Sequence, residues 1–199
     1  MDVEQIEQRR LKVLDVLATL HPLAIFTELS VDESLAFKLS QNALSAIRKG
    51  LSHAKRRQNE SLALGTVTVA AQTPDYQQTL YEMNQFKFEH VGGRDMVYTE
   101  RHTLKTGEIE IHTHIPMTPD YLGNTDVGDL IAAIEGPAWV HPTTKLMQAH
   151  LRIFAILSVY PNRLAQLDFY SHNLLGALSA SHNYGLRRAG YPIIIPDAY

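Results

Sequence analysis

The stretch that decides the fold lies near the middle of the chain and reads Lys105-Thr-Gly-Glu-Ile-Glu-Ile-His-Thr-His114. Its first three residues are typical of a turn, and from Glu108 onward polar and apolar residues alternate at the spacing of a β-strand. The preceding run Met96-Val-Tyr-Thr99 is also typical of a strand. We therefore expect a β-hairpin at the centre of the fold, with its return strand ending at His114.

Before this hairpin, the spacing of apolar residues predicts helices and strands in turn. Ser40 is a residue type that commonly caps the N-terminus of a helix, so a helix is expected directly after it. The predicted elements are a helix over 4–20, short strands over 24–29 and 36–39, a helix from 41 to about 57–59, a strand over 62–71 and a turn at 73–75.

After the hairpin, helix caps at 124–126 precede an apolar segment, and a short strand is expected at 138–140. Residues 143–188 are mostly helical in pattern, and the tail is extended because prolines forbid a helix there. This order predicts an α+β or α/β fold, with a mixed β-sheet flanked by helices. Its parts are an N-terminal helical segment (1–35), a core (36–142) and a helical C-terminal extension (143–199). The extension is apolar enough to form either a packed subdomain or a homo-oligomer surface.

Composition narrows the classes of function. The chain has 199 residues, 45% of them hydrophobic, and a net charge of −3, so it has no basic surplus that would indicate a nucleic-acid partner. It has no cysteine, which excludes disulfides, thiolate zinc fingers and cysteine nucleophiles. The N-terminus lacks a signal-peptide pattern and no apolar run approaches a bilayer span, so we expect a cytoplasmic protein with no membrane partner.

The pair His112 and His114 is the first candidate metal site. Residues i and i+2 of a strand point to the same face, so both imidazoles can approach one ion. Zinc takes four ligands and in catalytic sites keeps one position for water, so a third protein ligand is needed. Asp120, Asp126 and Asp129 follow within a short distance in the sequence. With 10 histidines in the chain, an accidental His-x-His is the alternative.

A hydrolase also needs a base to activate water, and Glu60 is the candidate. It lies between the helix expected to end near 57–59 and the strand expected from Leu62. The alternative is an exposed acid in a loop between a helix and a strand.

Three motifs together resemble the JAMM family of zinc metalloproteases, also called JAB or MPN+. The first is the predicted helix followed by Asn59-Glu-Ser-Leu62, similar to the family's glutamate before a strand. The second is Gly107-Glu-Ile-Glu-Ile-His-Thr-His-Ile-Pro116, similar to its His-Ser/Thr-His-Pro strand end. The third is Asp126-Val-Gly-Asp-Leu130, similar to its Ser-x-x-Asp-Leu helix start. The resemblance covers roughly residues 36–142.

The resemblance implies a JAMM/cytidine-deaminase-like sandwich in which His112, His114 and one aspartate hold Zn²⁺ while Glu60 activates water. The leucine and apolar segment that follow Asp129 favour it as the third ligand. The number of residues that separate the second histidine from the aspartate in the family favours Asp126 instead. The implied reaction is hydrolysis of a peptide or isopeptide amide, as in deubiquitinase-like cleavage of a ubiquitin-like conjugate or precursor. The family's serine has no clear counterpart, so a non-catalytic scaffold or interaction module of the same fold is the alternative.

Overall fold

The structure is a computed structural model that describes residues 29–57, 61–75, 77–91, 104–114, 151–173 and 186–199, together with five helical positions between residues 4 and 15. The elements are, in chain order, β1 (Val31–Asp32), β2 (Leu35–Leu39), α1 (Gln41–Arg57), β3 (Ser61–Gln72), β4 (Thr79–Val91), β5 (Glu108–His114), β6 (Leu151–Val159), a 3₁₀ turn (Pro161–Arg163), β7 (Ala165–Asn173), β8 (Leu186–Ala189) and β9 (Ile193–Ile195).

All nine strands belong to one sheet, which is nearly closed into a barrel. The strand order is β1-β8-β7-β6-β5-β3-β4-β2, with β9 also paired to β7. Closure comes from the short segment that holds β1 and β2, because β1 pairs in parallel with β8 and β2 pairs in parallel with β4. At this junction Gly190 has a φ of 76°, and a Cβ there would lie 2.5 Å from the carbonyl oxygen of Leu35. Glycine therefore allows the end of β8 to pass against the start of β2.

One face of the sheet, called the core face here, packs against α1. The helix contributes Ala43, Ile47 and Leu51, all of them buried. The ring of Phe37 from β2 stacks on that of Phe169 from β7, with centroids 3.8 Å apart, so the core joins distant strands. Full burial of a large apolar side chain stabilises a fold by roughly 1.5–3 kcal/mol, and this core is the main source of stability.

The elements predicted within residues 36–57, 62–72 and 105–114 are confirmed, whereas the first strand of the expected hairpin, 96–99, lies outside the described residues. The predicted strands are β2, β3 and β5, and the predicted helix is α1. Ser40 caps α1, since its Oγ accepts a hydrogen bond of 3.1 Å from the backbone N–H of Ala43. The turn before β5 contains Gly107 with a φ of 79°, a backbone conformation that favours glycine.

The predicted fold class is wrong. The described chain is mostly β-strand with one long helix, and its sheet is nearly closed, so it is not an α+β or α/β sandwich flanked by helices. The helical C-terminal extension is also wrong, because the described residues 151–173 and 186–199 form β6, β7, β8 and β9. The expected homo-oligomer surface was to be formed by these helices, so the argument for it no longer applies.

The physical reason for this error lies in β6. Residues Ile153 to Leu157 are buried at every position, so both faces of the strand are covered. A strand of that kind reads as a continuous apolar run, and periodicity alone does not separate it from a buried helix. The strand β4, with charged residues among its apolar ones, was not predicted either.

Several predicted elements lie outside the described residues, namely 24–28, 96–99, 124–134 and 138–140. Within the predicted first helix, the five described positions are helical. In the part of the chain that the structure describes, no helix combines the length and the apolar character needed to cross a membrane.

Candidate functional site

Strand β5 places His112 and His114 on the same face of the sheet, as the sequence predicted. Ile109 and Ile111 point into the core, so the histidines and Glu110 lie on the opposite face, called the second face here. The two imidazole rings meet edge to face, with centroids 4.9 Å apart and an interplanar angle of 78°. His114 is only 3% exposed, whereas His112 is partly exposed, so solvent reaches the pair from the side of His112.

The neighbouring strands surround this pair with buried side chains. His112 lies in register between Leu62 of β3 and Ile156 of β6, both buried. His114 lies in register with Ser158 of β6, which is 1% exposed. The apolar neighbours lower the local dielectric constant, which strengthens electrostatic interactions at the histidines.

The start of β3 runs beside the histidines. Ser61 pairs with Thr113, and the Thr113 hydroxyl donates a hydrogen bond of 2.7 Å to the backbone carbonyl of Ser61. Glu60 lies outside the described residues, as do Asp120, Asp126 and Asp129. The role of Glu60 and the choice between Asp126 and Asp129 stay predictions.

Within the described ranges, the candidate metal ligands of this site are His112 and His114. No group of three or more His, Asp or Glu side chains within the described ranges is arranged to hold a metal ion. Imidazole nitrogen is a ligand type that zinc prefers, and the pair fits that chemistry. Any further ligand has to come from beyond these ranges, where both aspartate candidates lie.

A second polar group lies on the same face, on the three strands that follow β5 in the sheet order, β6, β7 and β8. We call Ser158, Tyr160, Gln166, Asp168 and Arg188 the second-face cluster. Asp168 is its centre: its Oδ1 accepts a hydrogen bond of 2.7 Å from Arg188, and its Oδ2 accepts one of 2.8 Å from Gln166. The guanidinium of Arg188 also lies over the ring of Tyr170, 5.8 Å from its centroid. The charge on the arginine side chain is thus held in a defined position.

Burial has the largest effect on the pKa of two members of this cluster, Asp168 and Tyr160. It raises the pKa of Asp168 above its usual value of 3.8, although the hydrogen bond from Gln166 and the charge of Arg188 act in the opposite direction. It also raises the pKa of Tyr160, and the negative charge of Asp168 adds to that effect. A hydrogen bond with Ser158 and the charge of Arg188 act in the opposite direction, and the pKa of the Tyr160 phenol is raised on balance.

Sequence reasoning missed the second-face cluster. Polar residues at every second position of β7, such as Gln166 and Asp168, were the available signal for a strand with one polar face. The adjacent apolar run of β6 favoured a helical interpretation and obscured that signal.

Comparisons of the chain with protein-family models, with curated proteins and with solved structures found no match.

Proposed function

We propose that the protein is a zinc-dependent hydrolase that cleaves an amide bond, with His112 and His114 as two of the metal ligands. The observation that carries the proposal is the distance of 4.9 Å between the two ring centroids. With Zn–N bonds of about 2.0–2.1 Å and tetrahedral angles, two imidazole rings that share one ion have centres roughly 5 Å apart. The pair therefore has the spacing that a shared zinc ion requires.

The third ligand in this proposal is Asp129 or Asp126, and the base is Glu60. Bound zinc supplies Lewis-acid polarisation of a substrate carbonyl and of water. Glu60 takes the proton from the attacking water and passes it to the departing amine. The contact between Ser61 and Thr113 supports this role, because it joins the chain next to Glu60 to the strand that carries the histidines.

The substrate class rests on the three motifs that resemble the JAMM family, since the fold is not the family's sandwich. We propose a protein or peptide substrate with a peptide or isopeptide amide, and a ubiquitin-like conjugate or precursor as the first one to test. The net charge of −3 favours neither a nucleic acid nor an anionic membrane as partner. We place the enzyme in the cytoplasm.

The first experiment is zinc analysis of protein purified without chelator. We expect one zinc per chain, and loss of zinc in His112→Asn and His114→Asn, with thermal melts to show that both variants fold. Protein that folds but contains no stoichiometric zinc would exclude the hydrolase and favour a non-catalytic scaffold.

The second experiment separates the base from the ligands. Glu60→Gln should keep the zinc and abolish cleavage of a ubiquitin-derived fluorogenic amide or a peptide-amide library. The matched control is Glu108→Gln, which removes a carboxylate from the same face of β5 as the histidines. Because Glu108 lies about 13 Å along the strand from His112, the control should retain both zinc and activity. Loss of zinc in Glu60→Gln would instead make Glu60 a ligand.

A further inference from the structure

We propose that the hydroxyl of Tyr160 donates a hydrogen bond to the substrate oxygen on which negative charge develops during cleavage. This inference rests on the proposed function and adds a catalytic residue to it. Tyr160 follows β6 directly, outside the segment in which the sequence motifs lie.

The first support is position. Ser158 lies in register with His114 on the adjacent parallel strand, about 4.8 Å away along the sheet and on the same face. Tyr160 is two residues further along the chain, and its backbone is extended, with φ −111° and ψ 162°. Its side chain therefore lies on the second face as well, and its hydroxyl lies close to that of Ser158. The phenol is thus directed back toward Ser158, the residue in register with His114.

The second support is rigidity. The backbone N–H of Tyr160 donates a hydrogen bond of 2.9 Å to the carbonyl of Leu164, across the tight turn between β6 and β7. Its carbonyl accepts a hydrogen bond of 2.7 Å from the hydroxyl of Tyr199. Both backbone groups are therefore fixed, and a donor fixed before the reaction stabilises developing charge without a reorganisation cost.

The third support is charge. Burial and the nearby charge of Asp168 raise the pKa of the Tyr160 phenol, although a hydrogen bond with Ser158 and the charge of Arg188 act in the opposite direction. The carboxylate of Asp168 would repel an oxyanion, but Arg188 lies 2.7 Å from it and offsets its charge. The cluster thus presents a protonated donor beside a balanced ion pair. Tyr160 keeps its proton throughout, and the proton of the attacking water goes to the leaving amine by way of Glu60.

The test is Tyr160→Phe, which removes the hydroxyl and keeps the ring. The matched control is Tyr191→Phe, a tyrosine that is 65% exposed and contacts Glu33 at the surface. We expect the zinc content and the melting temperature of Tyr160→Phe to match those of the wild type. We expect kcat to fall by about 10²–10³-fold with little change in KM, the usual effect of removing one oxyanion donor. The control should change neither constant.

A second readout does not depend on turnover. Inorganic phosphate, a tetrahedral anion, is titrated calorimetrically into zinc-loaded wild type and both variants, and only Tyr160→Phe should lose affinity, by roughly tenfold. If zinc-loaded wild type cleaves amides while Tyr160→Phe matches it in kcat and in phosphate affinity, this inference is wrong and the proposed function stands. If the wild type takes up no zinc, both are wrong.

Discussion

Arg188 on β8 and Asp168 on β7 form an ion pair with an N–O distance of 2.7 Å, in which the aspartate side chain is 6% exposed and the arginine 27%. The pair joins the two strands across the second face, beside the candidate site. Because burial has the largest effect on Asp168, its pKa is higher in the folded chain than its usual value of 3.8.

This pKa shift predicts how stability varies with pH. The folded chain binds the Asp168 proton more tightly than the unfolded chain, so the contribution to stability is full below pH 3.8 and is lost as pH rises through the raised pKa. In urea unfolding, the stability of the wild type relative to Asp168→Asn should therefore decrease as pH rises through this window. The matched control is Asp197→Asn, which removes a carboxylate that is 75% exposed. If the stability of the wild type relative to Asp168→Asn increases as pH rises, the raised pKa of Asp168 is wrong.

Gly50 of α1 is predicted to resist substitution by alanine. A Cβ at this position would overlap Cε2 and Cδ2 of the Phe88 ring on β4. Alanine favours a helix over glycine by up to about 1 kcal/mol, but overpacking against a ring costs about 1–3 kcal/mol. We expect Gly50→Ala to lower the free energy of unfolding in urea.

The control for that variant is Ser45→Ala, at an exposed position of the same helix, which should change stability by less than about 0.5 kcal/mol. A Gly50→Ala protein more stable than the wild type would mean that the Phe88 ring moves aside without cost.

Ser40 is predicted to stabilise the start of α1 and its attachment to β4. Its hydroxyl accepts from Ala43 N–H and donates a hydrogen bond of 3.1 Å to the carbonyl of Asn84. Ser40→Ala removes both bonds and should cost about 1–2 kcal/mol in thermal or urea unfolding. Ser40→Thr keeps a hydroxyl and should recover most of that loss. If Ser40→Thr loses as much stability as Ser40→Ala, the hydroxyl group at this position does not account for the stabilisation.

The third zinc ligand is predicted to be Asp129 rather than Asp126. Asp129→Ala should lose stoichiometric zinc, since two histidines alone do not complete a tetrahedral site, while Asp126→Ala keeps it. Asp120→Ala, which removes an earlier acid of the same segment, is the control and should retain zinc. Zinc loss in Asp126→Ala alone would reverse the assignment, and retention in both would place the ligand elsewhere.

Local sequence signals predicted the described structure well over residues 36–72 and 105–114. Ser40 caps a helix because its hydroxyl reaches a neighbouring backbone N–H, and Gly107 allows a turn because it has no Cβ. These interactions lie within a few residues along the chain, so the sequence shows them directly.

In the candidate site, too, local sequence signals predicted one part of the arrangement and contacts between distant segments decided the rest. The common face of His112 and His114 follows from the period of a strand, which is a local property of the sequence. Their proximity to Ser158, and through it to Tyr160 and Asp168, depends on the parallel pairing of β5 with β6. That pairing joins segments far apart in the chain, and no local pattern specifies it.

By itself the sequence determined the helix α1, the strands β2, β3 and β5, and the orientation of the histidine pair. Only the tertiary structure decided that residues 151–159 form a strand, because their apolar run follows from burial on both faces of a sheet whose closure the local pattern does not contain. It also decided which side chains share the second face with the histidines, since strand order and register arise from contacts between segments that meet only in the folded chain.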